Sequence, residues 1–400
     1  MSRRLGGRFY RLFAADLVSQ VGDALNFIGR AWFVVSASES PVVLSLMFIA
    51  ASLPEAALSI LSGRFIDRDT RRRRWVLTLA YAVRAPFSVW LGVLALAGEF
   101  DPVEVLLCVA MVAVGNGMGI PAAKALLPQL VRWDQLERAI GLLGMVYRGT
   151  QAVGPAIAGL VVGQLGLATL FFVDAAASVA AALICATIRP RAPTAGDAGG
   201  EGSHGAPRIG VLEFFSTKVV ALRLVFYSVA LRLIGRPLYV AFAVFVERTL
   251  YSDATVLGFL LSAFALGYAL GALILLRVFA NVGERARVVT SVVLCGALIA
   301  AAGLASAAVG VGILLAGGGA CFAVAGITLD AWLQRELDDR VRGRAYALLG
   351  TTVALASPVA YLVMGFALES VRAPTAIVAL GIVLAATSIG VARLPSRMVP

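Results

Sequence analysis

Asp16, Asp23 and Arg30 recur at seven-residue intervals within a long, mostly apolar stretch near the start of the chain. On a helix this spacing brings all three near one face, and Gln20 and Asn26 flank the stripe. The chemistry open to such a stripe is proton exchange. Burial disfavours the charged form of a carboxylate and a neighbouring guanidinium favours it, so an acid moved between those surroundings takes up and releases a proton. A second apolar stretch carries Arg223, Arg232 and Arg236, with Gly235 and Pro237 beside the last. Asp23 and Arg232 fall near the middle of their stretches, and Asp16 lies nearer one end. Charge inside a membrane helix is costly and needs a functional or pairing reason.

Other chemistries lack their residues. His204 is the single histidine and lies in a polar, Gly-rich stretch. Cys108, Cys185, Cys295 and Cys321 each sit inside an apolar run and form no CxxC, so they read as small hydrophobes. No HExxH, GxSxG or GxxxxGK[ST] occurs. No metal site, cofactor or enzyme activity is therefore expected, and ATP would not drive this chain directly.

The elements that must position these charges are membrane helices. Hydrophobic residues make up 60% of the 400 and charged residues 14%, against about 45–50% and about 25% in soluble domains. Mean hydropathy is +0.90. A spanning helix needs about 20 mostly apolar residues. Six candidates fall near 10–36, 41–62, 75–97, 103–123, 139–163 and 166–188. Six more fall near 219–246, 254–276, 287–307, 309–331, 343–367 and 374–394. The basic start MSRRLGGRFYRLF leads into a stretch too long and too polar for a cleaved leader, so it reads as the first span.

The net charge of +11 is carried almost wholly by arginine; the lysines are Lys124 and Lys218. Six arginines crowd the break between the second and third spans, in GRFIDRDTRRRR (63–74). Across all breaks, 26 basic residues fall on one alternating set of loops and termini, and only Arg248 and Arg372 on the other. That asymmetry puts both ends and the central linker in the cytoplasm. It also removes the nucleic-acid reading of the arginine run, which is short and lies between two spans.

RPRAPTAGDAGGEGSHGAPR (189–208) is the one low-complexity segment. It divides the chain into 1–188, a linker over 189–218, and 219–400. Arg138-Ala-Ile-Gly-Leu-Leu-Gly144 opens the fifth span and Arg344-Ala-Tyr-Ala-Leu-Leu-Gly350 the eleventh. An echo at matching places in both halves favours a parallel duplication. The fold class expected is an all-α polytopic membrane protein, with twelve transmembrane helices in two six-helix bundles.

Several motifs carry a more specific resemblance. Gly63-x-x-x-Asp67-Arg68-x-x-Arg71-Arg72 resembles the signature loop of the major facilitator superfamily. Gly141, Thr150 and Gly154-Pro155-Ala-Ile-Ala158-Gly159 resemble the antiporter motif of its twelve-span exporters, with Thr150 and Ala158 where that pattern has glycine. Phe9-x-Arg11-Leu12 through Ser19-x-x-Gly22-Asp23, Leu53-Pro54, Arg84-Ala85, Pro121-Ala122, Asp174-Ala175 and Arg342-Gly343-Arg344 are similar to the branch of enterobactin exporters and macrolide efflux proteins. Many drug–proton antiporters of the superfamily carry an arginine where this chain has Ala113, three residues before Asn116-Gly117.

The resemblance implies a secondary active transporter working by alternating access. Its expected task is proton-coupled efflux of an amphipathic small molecule such as a drug, siderophore or natural product. The alternative is an importer, or a carrier of a lipid-like substrate. It also implies that the first and seventh spans line a central cavity. Asp23 and Arg232 are then expected to face each other there, with Asp16, Arg30, Asn26, Asn116 and Arg236 as further cavity residues; static pairing is the competing reading. Arg84, Arg148 and Asp174 are expected to pair structurally, and Glu55 and Asp330 to line the cavity or snorkel. Gly63, Asp67, Arg68, Arg71 and Arg344 would form a conformational latch, with an ordinary positive-inside loop as the alternative. Gly141, Gly154, Pro155 and Gly159 would pack the fifth helix tightly. The partners implied are the substrate, protons and the lipid bilayer, without nucleic acid. The protein is expected as a monomer in the cell inner membrane.

Overall fold

The computed structural model describes residues 5–66, 70–189, 219–279, 281–337 and 339–393. Every regular element among them is helical. The first half contains α1 (Gly7–Ala37), α2 (Pro41–Ile66), α3 (Thr70–Ala97), α4 (Pro102–Leu126), α5 (Leu136–Leu165) and α6 (Leu167–Ala186). The second contains α7 (Val219–Gly235), α8 (Pro237–Arg248), α9 (Ala254–Leu270), α10 (Glu284–Leu304), α11 (Ala308–Glu336), α12 (Asp339–Ser370) and α13 (Ala373–Ala392).

Among the described residues, ten helical stretches are long and apolar enough to cross a membrane, with α7 and α8 counting as one. The expected spans outside that set are α1 and α5, of 31 and 30 residues. Thirty residues rise about 45 Å, more than a hydrocarbon core of about 30 Å requires. Their polar content lowers their hydropathy, and burial inside the protein is what lets α1 carry it. The chain is a multi-span membrane protein, an all-α fold of twelve spans in two six-helix bundles.

Two spans depart from the expected regular form. The stretch expected as one helix over 219–246 is two, α7 and α8, divided at Arg236. Pro237 has no amide to donate back, and its fixed φ suits the first position of the new helix. The span expected over 254–276 leaves α geometry at Gly271–Leu275, which form a π turn, before a last turn at Leu276–Val278.

The chain divides into two compact units. Unit 1 takes the residues up to Phe33 and the first half from Ala50; unit 2 takes Val34–Ile49 and the second half. In unit 1, α3 packs against α4 and α6. In unit 2, α10 packs against α11 and α13. Gly117 of α4 meets the backbone of Glu55 in α2, and Gly319 of α11 meets the backbone of Phe264 in α9. Gly22 of α1 lies against α6, and Gly390 of α13 against Tyr227 of α7. The same helix pairings recur six spans apart, the pattern a parallel duplication leaves. Small residues at these crossings let helices approach closely where lipid gives no hydrophobic drive to associate.

At the arginine-rich end of unit 1, one apolar cluster ties α1, α3, α4, α5 and α6 together through Phe9, Leu12, Leu77, Leu126, Ala139 and Cys185. Loop arginines finish the helices there. Arg73 Nη1 donates to the Ala125 carbonyl at 3.2 Å, Arg74 Nη1 to Ile188 at 2.9 Å and Arg11 Nη1 to Thr187 at 2.9 Å. Each meets carbonyls at the end of α4 or α6, where the helix leaves acceptors unpaired and its dipole favours a cation. Arg73 and Arg74 thus brace helix ends as well as contributing to the charge asymmetry.

Candidate functional site

Arg84 of α3 is the largest fully buried side chain among the described residues, with 1% of its surface exposed. Room for it comes from Gly115 of α4: a Cβ there would lie 2.5 Å from Arg84 Cγ and 2.6 Å from the Ala80 carbonyl. A guanidinium buried this deeply must be matched by negative charge and hydrogen bonds. Two carboxylates meet it. Nη2 donates to Asp23 Oδ1 of α1 at 2.5 Å and to Asp174 Oδ1 of α6 at 3.1 Å. Nη1 donates to Ser19 Oγ at 2.9 Å and to Asp23 Oδ2 at 3.2 Å.

The two acids differ in their surroundings. The Asp174 side chain is sealed, with 0% exposed. Its Oδ2 accepts from Asn26 Nδ2 at 2.7 Å and Ser88 Oγ at 2.6 Å, so α1, α3 and α6 all contribute to fixing it. Asp23 leaves 26% of its side chain exposed. Asn116 of α4 and Arg30 also lie close to Asp23. One arginine is therefore shared between a sealed acid and an accessible one.

The backbone of α1 is clamped on both sides of Asp23. A Cβ on Gly22 would come within 2.7 Å of Asp174 Oδ1. Ala24 faces Gly154 of α5, where a Cβ would collide with the Ala24 methyl. Pro155, Ala158 and Gly159 are buried with Gly154, so the Gly-Pro segment of α5 packs directly behind Asp23. Gly141, expected in the same packing role, is exposed with open space around it. It lies in the first turns of α5, more than three turns from that contact.

In unit 2, Arg232 of α7 donates from Nη2 to both Asp330 oxygens of α11, each at 2.9 Å, and from Nη1 to the Ser228 carbonyl at 3.1 Å. Arg232 and Asp330 are 34% and 33% exposed. Tyr346 of α12 donates its hydroxyl to the Asp330 carbonyl at 3.2 Å. Two charged groups thus meet between α7 and α11 without being sealed.

Asp23 and Arg232, expected to face each other, are both engaged in ion pairs. Each finds its ion partner inside its own unit, Arg84 for Asp23 and Asp330 for Arg232. Of the other expected cavity residues, Asn26, Asn116 and Arg30 gather around the Arg84 site. Arg30 also lies over the Phe27 ring at 5.5 Å. Asp16 is half-buried and lies beside Gln20 instead. Arg236 is exposed at the break between α7 and α8. Arg148 is exposed on α5 and forms no ion pair among the described residues. Arg344 is exposed on α12. Asp67 and Arg68 lie outside the described residues; Gly63 ends up in α2 and Arg71 in α3, and their contacts lie outside them too. Arg84, Asp174 and Ser88 were missed as site residues. The available signal was depth, since Asp23, Arg84 and Asp174 all stand well inside their helices.

These features define a membrane transporter. A family profile described as a transmembrane secretion effector matches residues 6–399, and the chain belongs to that family of the major facilitator superfamily. It is 25% identical to the multidrug efflux pump Tap of Mycolicibacterium fortuitum over 371 residues, covering 88% of this chain and 87% of that one. It is 20% identical to the staphyloferrin A transporter of Staphylococcus aureus, covering 68% and 67%. The match to macrolide efflux protein A of Streptococcus pyogenes, 24% identical, covers 46% and 44%. Among solved structures, an inward-facing bacterial homologue of the iron transporter ferroportin superposes with a TM-score of 0.71 at 16% identity, over 98% of this chain and all of that one. The nucleoside transporter NupG superposes with a TM-score of 0.70 at 12% identity, over 97% and 98%. These likenesses of structure establish the fold.

Proposed function

We propose that this protein is a proton-coupled exporter of amphipathic small molecules, working by alternating access in the cell inner membrane with both ends cytoplasmic. The two bundles, 1–188 and 219–400 joined by the 189–218 linker, would rock as bodies within a single monomer. The observation that carries the reading is the sharing of Arg84 between Asp174 and Asp23. Asp174 keeps the guanidinium neutralised and in place. Asp23 can therefore take a proton without leaving a buried cation unmatched. Protonation weakens its tie to Arg84, and ionisation restores it. That cycle supplies two states of α1, clamped between α5 and α6 at this residue.

The likeness to an efflux pump along most of the chain supports export. An amphipathic substrate suits half-exposed charge, as at Arg232–Asp330, set in apolar helices. Transport into inside-out vesicles tests the reading: an acid lumen should drive substrate accumulation. Accumulation indifferent to the pH gradient would remove proton antiport, and movement in the opposite sense would favour an importer.

A further inference from the structure

We propose that the arginine-rich end of unit 1 holds the phosphate headgroup of an anionic membrane lipid. The site is built at the end of α6. Arg11 of α1 and Arg74 of α3 bind the adjacent carbonyls of Thr187 and Ile188. Arg189 is the next residue and is exposed. Two guanidinium groups from two helices thus bind adjacent carbonyls, and a third arginine follows directly in the chain.

None of the three has a carboxylate within ion-pair distance among the described residues. The helix end offers only about half a negative charge, so the site keeps a surplus of positive charge. Arg11 and Arg74 each use Nη1 on a carbonyl, which leaves Nη2 of each for another acceptor. Arg74 Nε is buried and has no hydrogen-bond partner among the described residues. Phosphate oxygens fit such forks, because guanidinium groups donate two parallel hydrogen bonds.

The surroundings point to a lipid as the source of the phosphate. Arg74 lies over the Trp75 ring at 4.7 Å, and Trp75 is 55% exposed. Tyr10, on the turn of α1 beside Arg11, is 48% exposed. Exposed Trp and Tyr at helix ends mark headgroup depth. Beneath them lie buried Phe9, Leu12, Leu77 and Ile188. A headgroup held here keeps its acyl chains along the apolar outside of the helices.

Trp75 reports on the site. Purified full-length protein would be reconstituted in phosphatidylcholine vesicles containing brominated phosphatidylglycerol or, separately, brominated phosphatidylcholine. The Trp75 signal is the difference between the parent protein and Trp75→Phe. Each basic group near a membrane surface contributes a factor of about five toward anionic lipid. Half-quenching should therefore need at least about fivefold less brominated phosphatidylglycerol. Arg189→Gln, which leaves both carbonyl contacts intact, should reduce that preference, and Arg11→Gln together with Arg189→Gln should reduce it further. Equal quenching by the two lipids would overturn the proposal, and so would a preference unchanged in the double variant. Loss of the preference in millimolar inorganic phosphate would assign the site to a soluble anion and overturn it as well.

Discussion

Arg84 and Asp174 form an ion pair at 3.1 Å in which both side chains are sealed from the surface. The second carboxylate on the same guanidinium, Asp23, reaches the surface. Breaking a buried pair by removing one partner is costly because the other charge is left uncompensated, whereas an exposed pair contributes little. The same arginine thus takes part in one contact that the fold depends on and one that it can lose.

The first prediction concerns the contact that can be lost. Asp23→Asn keeps shape and hydrogen-bonding capacity but cannot exchange a proton. Arg84 retains Asp174, so expression and thermal stability should stay near the parent. Accumulation driven by a pH gradient in inside-out vesicles should fall by more than about tenfold, as when a positioned proton-transfer group is lost. Parent-like accumulation would take Asp23 out of the coupling role.

Asp174→Asn should behave in the opposite way. It leaves Arg84 buried with only the accessible acid to balance it. The cost should be about 3–5 kcal/mol, seen as a lower unfolding temperature in detergent and a lower yield. Ser88→Ala removes one hydrogen bond to the same carboxylate and should cost about 1–3 kcal/mol. If Asp174→Asn were as stable as Asp23→Asn, the assignment of fixed and exchangeable acids would be wrong.

Much of this architecture is legible in the residue pattern. Apolar run lengths place the twelve spans, and Gly154-Pro155 marks a close helix contact that proves to lie against Ala24. The charge asymmetry marks one set of helix ends, and Arg11, Arg73 and Arg74 cap helices there. The partners of Asp23 are harder to read, because pairing depends on which helices touch and at what depth. Arg84 and Asp174 stand 61 and 151 positions from Asp23 in the chain, and the short Arg-Ala and Asp-Ala motifs that contain them do not say which residues they meet. Depth alone matches all three. Depth also matches Arg232, and only the packing of α11 beside α7 shows that Asp330 takes that arginine. The break at Arg236-Pro237 has its physical signal in the proline, which a reading by apolar run length passes over.

The Arg232–Asp330 pair makes a third test. Both side chains are about one-third exposed, so neutralising either should cost about 1 kcal/mol or less in stability. If the pair serves transport, Arg232→Gln and Asp330→Asn should each reduce substrate accumulation several-fold while the unfolding temperature hardly moves. The exchange Arg232→Asp with Asp330→Arg should recover part of the loss, because contacting residues are coupled. Reduced stability with parent-like transport in the surviving protein would make the pair structural.

The last prediction follows from a contact within unit 2. The first turns of α2 and the residue before it pack on α12: Phe48 stacks on Tyr361 with centroids 5.2 Å apart, and Ser40 Oγ, just ahead of α2, donates to Glu369 Oε1 at 2.7 Å. Gly365 makes the approach feasible, since a Cβ there would lie 2.9 Å from the Ser45 Cβ and 3.1 Å from the Val42 backbone. The first is closer than real Cβ atoms come and the second is tighter than most, so Gly365→Ala must push α2 from α12 or strain it, at about 1–3 kcal/mol. α2 belongs to unit 2 only as far as Ile49 and to unit 1 from Ala50, so a disturbance at Ser45 acts on a helix that joins the two units. Gly365→Ala should therefore slow transport, and Ser45→Gly in the same protein should restore part of the rate by removing the atoms the new methyl meets. Rates would be read as initial substrate uptake in inside-out vesicles at matched protein content. A Gly365→Ala protein with parent-like uptake, or one that Ser45→Gly does not improve, would show that this crossing tolerates displacement and has no part in the transport cycle.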